Sequence, residues 1–321
     1  MIATLILSYP KMVNRIVVVV GIVVVAMLLY FMGVSGAWVG DVFPALQAEA
    51  SPQMARIITA IIIALLIAVN WKLLGMLPRT YQIGAVWAEL FALLLLFFYS
   101  FDLSFTFIAK KIGFLITQGV VTTLYISVVS IAIATVIALV GAIAKLSKNG
   151  VIYGLASFYT SLFRGLPLLM QIYIIYLGLP QVGYVIGAIP AGILALSLCY
   201  GAYMTEIFRA GIESIPKGQT EGATALGLRP NHTMFLVILP QAMRVIIPPT
   251  GNQFIAMLKD SSLVSVVGVW EIMYLARTLG QKEFRHIEML ITASMIYWLL
   301  SIGLEIIQAR IEQHFGRSLK R

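Results

Sequence analysis

Lys259-Asp260 is the sharpest charged pair in the sequence, because it stands inside an apolar segment and is followed by Ser261-Ser262. A cation and a carboxylate at membrane depth are each costly unless paired or wetted. Two arrangements satisfy that condition: a neutralised pair packed between helices or at a helix end near the interface, or a broken helix lining a polar path. In the second, Ser261 or Ser262 caps a new helical half. The start of that half gathers backbone donors and partial positive charge suited to a carboxylate. A zwitterion could then set its carboxylate near Ser262 and Lys259, with Asp260 taking its ammonium or holding Lys259. Arg164, beside Gly165-Leu166-Pro167, and Glu206 are reserve candidates for the same path. Arg164 can equally pair with backbone carbonyls or snorkel to the surface. Glu206, Arg209 and Glu213 fall at i, i+3 and i+7 on one helix face, which reads as an ion-pair ladder worth a few tenths of a kcal/mol per pair.

Catalytic chemistry finds no comparable residues. The sequence contains no G-x-x-x-x-G-K-[ST], no H-E-x-x-H and no G-x-S-x-G, so it offers neither a phosphate cradle nor a metalloprotease or nucleophile-elbow signature. His232, His286 and His314 are scattered near expected helix ends, and no metal-spaced His/Cys cluster is present. We therefore expect no catalytic residues, no metal and no cofactor in this chain.

The elements that must hold these residues are membrane helices. Of 321 residues, 60% are hydrophobic and 11% charged, against roughly 25% charged in a soluble domain. That composition predicts an all-α integral membrane protein with about eight transmembrane helices of ~20 apolar residues each. The net charge of +9 comes from lysines and arginines at the ends of apolar runs, not from a basic patch interleaved with aromatics, so no nucleic acid is expected. The single cysteine, Cys199, cannot form an intrachain disulfide. The expected helices run over 16–33, kept rather than cleaved as a signal, 55–77, 83–101, 113–144, 153–177 and 189–210, then from Pro248-Pro249 onwards, and over 287–309. Glu89 is the only charge of the third and should face other helices. With the N-terminus inside, Arg56, Lys110, Lys111, Arg277, Lys282 and Arg285 fall outside. Every other lysine and arginine except Arg164 and Lys259 falls inside, fourteen against six. This is the positive-inside bias, and it puts both termini in the cytoplasm.

One polar stretch breaks the apolar pattern on the cytoplasmic side. Residues 221–228 have a helical pattern, closed by Arg229-Pro230 because the residue before a proline leaves the α region, and a second apolar run ends on Leu239-Pro240. Glu221, Gly222, Ala223, Gly227, Val237, Leu239 and Pro240 resemble the EAA signature of ABC importer permeases, with Gly222 and Val237 as mild departures. The resemblance implies that the loop at about 213–240, including Ala225 and Leu226, is a coupling helix that docks on a separate ATPase subunit. A side chain at Gly227 would block close approach or a special backbone angle.

Other segments are similar to the polar amino acid branch of these permeases, the histidine/glutamine/arginine/opine group. They are 163–171, 200–203 with 206–212, 239–242 and 258–263. The resemblance covers about residues 113–315 and implies a five-helix permease core, assigned to 106–321. A separate extension of three helices, 1–105, would precede it. It also implies an ATPase dimer carrying ATP and Mg, a second permease subunit (the same chain or a paralogue), and an external solute-binding protein. The expected substrate is a polar amino acid, and the expected location is the inner (plasma) membrane, among lipid. The competing reading is a secondary transporter driven by an ion gradient, with Asp260 and Glu89 as its fair carboxylate candidates.

Overall fold

The computed structural model describes residues 22–27, 30, 52–99 and 103–316. It is helical throughout these residues and divides into two units between Phe101 and Asp102. The helix expected at 16–33 and the connector after it lie largely outside the described residues.

The first unit contributes α1 (Pro52–Gly75) and α2 (Arg79–Tyr99), both apolar enough to cross a bilayer. A turn at Leu77-Pro78 joins them, closed by Gln82 Nε2 donating to the Leu77 carbonyl at 2.8 Å. Asn70 Nδ2 donates to Glu89 Oε2 at 2.8 Å. Glu89 thus meets a polar partner on the neighbouring helix, as its depth requires.

The second unit opens with α3 (Phe105–Phe114), a π-helical turn (Leu115–Val120) and α4 (Val121–Lys145), which together form one 41-residue span. Then come α5 (Gly150–Gly165) and α6 (Leu168–Tyr173), bent by 105° at their junction. Next are α7 (Ala188–Glu213), α8 (Lys217–Ala225), the single turn α9 (Pro230–His232) and α10 (Leu239–Asp260). A 3-10 turn (Ser261–Val267), α11 (Ile272–Lys282) and α12 (His286–Gly316) complete the unit. Among the described residues, six helices are long and apolar enough to cross a membrane, or seven if the bent pair is one span.

The core is built on close helix contact. On α4, Ala134, Ala138 and Ala142 recur every fourth residue, and all three are fully buried in the same hydrophobic cluster as Ala195 and Cys199 of α7. A Cβ on Gly141 would sit 2.4 Å from Thr205 Oγ1, so glycine is what lets these two backbones approach. Small residues at this spacing are how helices pack where water supplies no drive for association.

Three expectations about elements need correction. The seventh helix does not start at Pro248-Pro249. Both prolines lie inside α10, which continues without a break from the helical turns at 230–238. The Thr250 hydroxyl donates to the Ile246 carbonyl inside that proline stretch, and buried helices tolerate proline because neighbours satisfy the freed groups. Second, Ser261 and Ser262 do not cap a new helical half. The Ser261 hydroxyl donates back to the Leu258 carbonyl at 2.7 Å, the chain continues as a 3-10 turn to a left-handed Gly268, and the next helix begins at Ile272. Third, the 221–228 helix is Lys217–Ala225, and Gly227 rather than Arg229-Pro230 ends it.

Candidate functional site

The polar loop forms a defined structure. Pro216 precedes α8, and Ala223 is its one buried residue, 4% exposed. Leu226 follows the helix and Gly227 takes φ +76. The Gly227 amide donates to Thr224 and the Leu228 amide to the Ala223 carbonyl, so the last carbonyls are satisfied by a left-handed exit that favours glycine. No atom lies within 4 Å of where a Gly227 Cβ would be. Of the two roles expected for this glycine, the backbone angle is therefore the one observed. Gln241 Nε2 bridges to Gln219 Oε1 at 3.0 Å, tying α8 to the start of α10 beside Leu239 and Pro240. Glu221, Gly222, Ala225 and Leu226 are exposed, Leu226 at 84%. An exposed leucine thus stands beside an exposed acid on a helix anchored through one alanine.

Charges gather where α4, α5 and α7 meet. Lys145 pairs with Glu206 Oε1 and also donates to Thr160. Arg209 grips Glu206 Oε2 through Nε and Nη2 and reaches Glu213 at 2.6 Å. Arg164 stands 3.8 Å from Glu206 and lies 5.5 Å over the Tyr203 ring. Glu206 is thus saturated by Lys145 and Arg209, and Arg164 is the cation of this group with reach to spare. The expected ladder on α7 is present, and Lys145 from α4 joins it.

Arg164 also lines a cavity of about 420 Å³ with Tyr200, Tyr203, Gln253 and Asp260. Tyr200 donates its hydroxyl to Asp260 Oδ2 at 2.7 Å, fixing the carboxylate from one side. The sharp bend between α5 and α6 shapes one wall. Gln171, 3% exposed, holds that bend by donating from Nε2 to the Phe163 and Leu166 carbonyls, both at 2.9 Å. Its Oε1 is buried with no partner.

The expected site residues are therefore only partly brought together. Asp260 and Arg164 share the cavity, while Glu206 lies behind Arg164. Lys259 is on another face of α10, in a separate pocket with Glu305 and Glu312. Ser261 is buried in the core and Ser262 is half-buried. Sequence reasoning did not single out Tyr200, Tyr203 or Gln253 for the path, although 200–203 was one of the segments similar to amino acid permeases. It also missed Glu271. That residue is fully buried and caps α11 by accepting from the Met273 and Tyr274 amides, and it accepts from the Tyr297 hydroxyl as well. Burial outweighs these donors and pushes the Glu271 carboxyl up to about 7.

Comparison with known proteins gives the family. Residues 137–317 match the family described as binding-protein-dependent transport system inner membrane component. The chain is similar to the arginine transport system permease protein ArtQ of Bacillus subtilis (strain 168), 39% identical over 66% of this chain and 97% of that protein. It is also similar to the L-cystine transport system permease protein TcyB of the same organism, 37% identical over 63% of this chain and 87% of that protein. A crystal structure of an amino acid ABC transporter with histidines superposes with TM-score 0.62 at 34% identity, over 66% of this chain and 99% of that one. The MetNI methionine ABC transporter in an inward-facing conformation, at 22% identity and TM-score 0.55 over 63% of this chain and 96% of that one, shares the fold. These relatives do not favour a secondary transporter driven by an ion gradient. The chain belongs to the binding-protein-dependent transport system inner membrane component family, as a multi-pass permease subunit of an ABC importer.

Proposed function

We propose that this permease carries amino acids, and that the cavity between α5, α7 and α10 is where it holds them. The observation that carries the reading is the placement of Arg164 and Asp260 on the walls of one cavity of about 420 Å³. A zwitterion would present its carboxylate to Arg164 and its ammonium to Asp260, which Tyr200 orients. Charge-assisted hydrogen bonds of this kind are roughly twice as strong as neutral ones. Tyr203 and Gln253 would contact the remainder of the ligand.

Transport would be driven from outside this chain. Two copies of a partner ATPase, holding ATP and Mg, would dock on the exposed face formed by Glu221, Gly222, Ala225 and Leu226, with Gly227 setting the exit of the helix. Closure of the ATPases would draw together the α8 helices of this chain and a second permease, the same chain or a paralogue. The bundles would then rock about the cavity and take up the amino acid released by an external solute-binding protein. This arrangement puts the protein in the inner (plasma) membrane with both termini in the cytoplasm, a polarity that the bias of lysines and arginines supports.

The test is amino acid uptake and ligand-stimulated ATP hydrolysis by the assembled complex carrying Asp260→Asn, Arg164→Ala, Lys259→Ala or Ser262→Ala. Asp260→Asn and Arg164→Ala should each lower uptake at least tenfold without loss of assembly, while Ser262→Ala stays near wild type. Normal uptake in both of the first two variants would place the ligand elsewhere.

A further inference from the structure

Consecutive residues on a helix point about 100° apart, and α10 uses that turn to serve two pockets. Asp260 looks into the cavity already described. Lys259 looks into a second one, of about 390 Å³, between α10 and α12. Asn252, Glu305, Gln308 and Glu312 line it with Lys259.

The groups in this second pocket do not neutralise one another directly. Among the described residues, neither Lys259 nor Glu305 has an ion-pair partner within 4.0 Å. Gln308 is fixed where a Cβ on Gly251 would lie 2.6 Å from its Cδ. Its Nε2 faces three acceptors: the Pro248 carbonyl, Asn252 Oδ1 and Glu312 Oε1, at 3.1, 3.0 and 2.7 Å. That orientation leaves Oε1 buried against Gly251, with no hydrogen-bond partner among the described residues. The pocket therefore holds a lysine and two carboxylates, Lys259 and Glu305 within segments that read as membrane spans and Glu312 near the end of one. Charges at such depth face water-filled paths or partners, not lipid.

We propose that this pocket is a second station for the transported amino acid, and that it selects a cationic one. The proposal rests on the reading that the chain carries amino acids. One lysine against two glutamates gives the pocket a formal charge of −1, where the first cavity, with Arg164 and Asp260, is neutral. A ligand with one carboxylate and two positive groups balances it: Lys259 takes the carboxylate, and Glu305 and Glu312 take the two cations. Two turns of α12 separate these glutamates by about 10 Å. That spacing lets each glutamate meet a different cation of one lysine- or arginine-sized ligand.

The experiment is cysteine accessibility in the complete transporter in proteoliposomes, with Ala256→Cys or Ala309→Cys added to a chain whose own Cys199 is buried. A charged methanethiosulfonate reagent should modify both positions, and faster than it modifies the parent chain. Saturating L-arginine should slow modification at least fivefold, while L-glutamate leaves it unchanged. Glu305→Gln, which keeps the shape of the side chain, and Lys259→Ala should each remove that protection while the complex stays assembled. Lack of modification would mean that lipid or a second subunit seals this face, and would overturn the proposal. Equal rates with and without L-arginine would do the same, as would a transporter that takes up neutral amino acids alone. If uptake requires Asp260 but Ala309→Cys is unprotected, only the second station falls. If no amino acid supports uptake, the underlying reading falls with it.

Discussion

Gly227 acts through its backbone angle, not through packing. Its φ of +76 closes α8, and nothing packs where a Cβ would go. Replacement by a β-branched residue should thus cost the backbone about 1–2 kcal/mol without a steric clash, loosening the loop that carries Glu221 and Leu226. We predict that Gly227→Val leaves the bundle assembled but lowers amino acid uptake per ATP hydrolysed several-fold, measured on purified complex. Glu221→Lys should instead weaken ATPase binding itself, seen as loss of the ATPase on co-purification. Wild-type coupling and binding in both variants would remove the loop from the mechanism. Single residues were legible in the sequence where the backbone carried the meaning, as at Gly227, whose special angle is observed. Adjacency misled at Lys259 and Asp260, because neighbours on a helix diverge by about 100° and only the packing of α7 and α12 decides what each one meets.

The elements themselves were read well, and their ends less so. The apolar runs at 55–77 and 83–101 appear as α1 and α2, and the runs at 189–210 and 287–309 as α7 and α12. Pro248-Pro249 misled because a proline pair resembles a helix start, while a buried helix can carry prolines through its middle. The bend after Arg164 was visible as Gly165-Leu166-Pro167, but its 105° angle depends on Gln171, nine residues into the same run. Glu271 left no signal, since glutamate is not among the favoured N-cap residues. Its raised carboxyl has a consequence for α11. The folded protein holds the proton up to about pH 7, while the unfolded chain releases it near 4.5. The stabilisation is therefore complete below about pH 4.5 and is lost as pH rises through 7. The melting temperature of the purified protein should fall between pH 5 and pH 8, and Glu271→Gln should flatten that dependence. A slope identical in the two proteins would contradict the assignment.

At the scale of the whole molecule, the chain carries more than its family model requires. The family match begins at residue 137, and the first unit ends at Phe101. We propose that residues 1–105 are separable from transport and act in pairing or lipid contact. A chain starting near Lys110 should insert and retain at least half of the uptake of the full protein, and an assembled but inactive truncation would show otherwise. Composition made the all-helical membrane architecture legible. Which helices enclose the cavity was not, because that depends on the packing of α5, α7 and α10 through side chains that look ordinary in sequence. The central claim is that this permease works only as the membrane part of an ATP-driven importer. Its most direct test is radiolabelled L-arginine uptake into proteoliposomes holding this chain alone, or this chain with its ATPase, each with binding protein outside and ATP inside. Our account predicts uptake only when ATPase and ATP are both present, unaffected by collapsing proton and sodium gradients. Uptake by the chain alone, driven by either gradient, would contradict it.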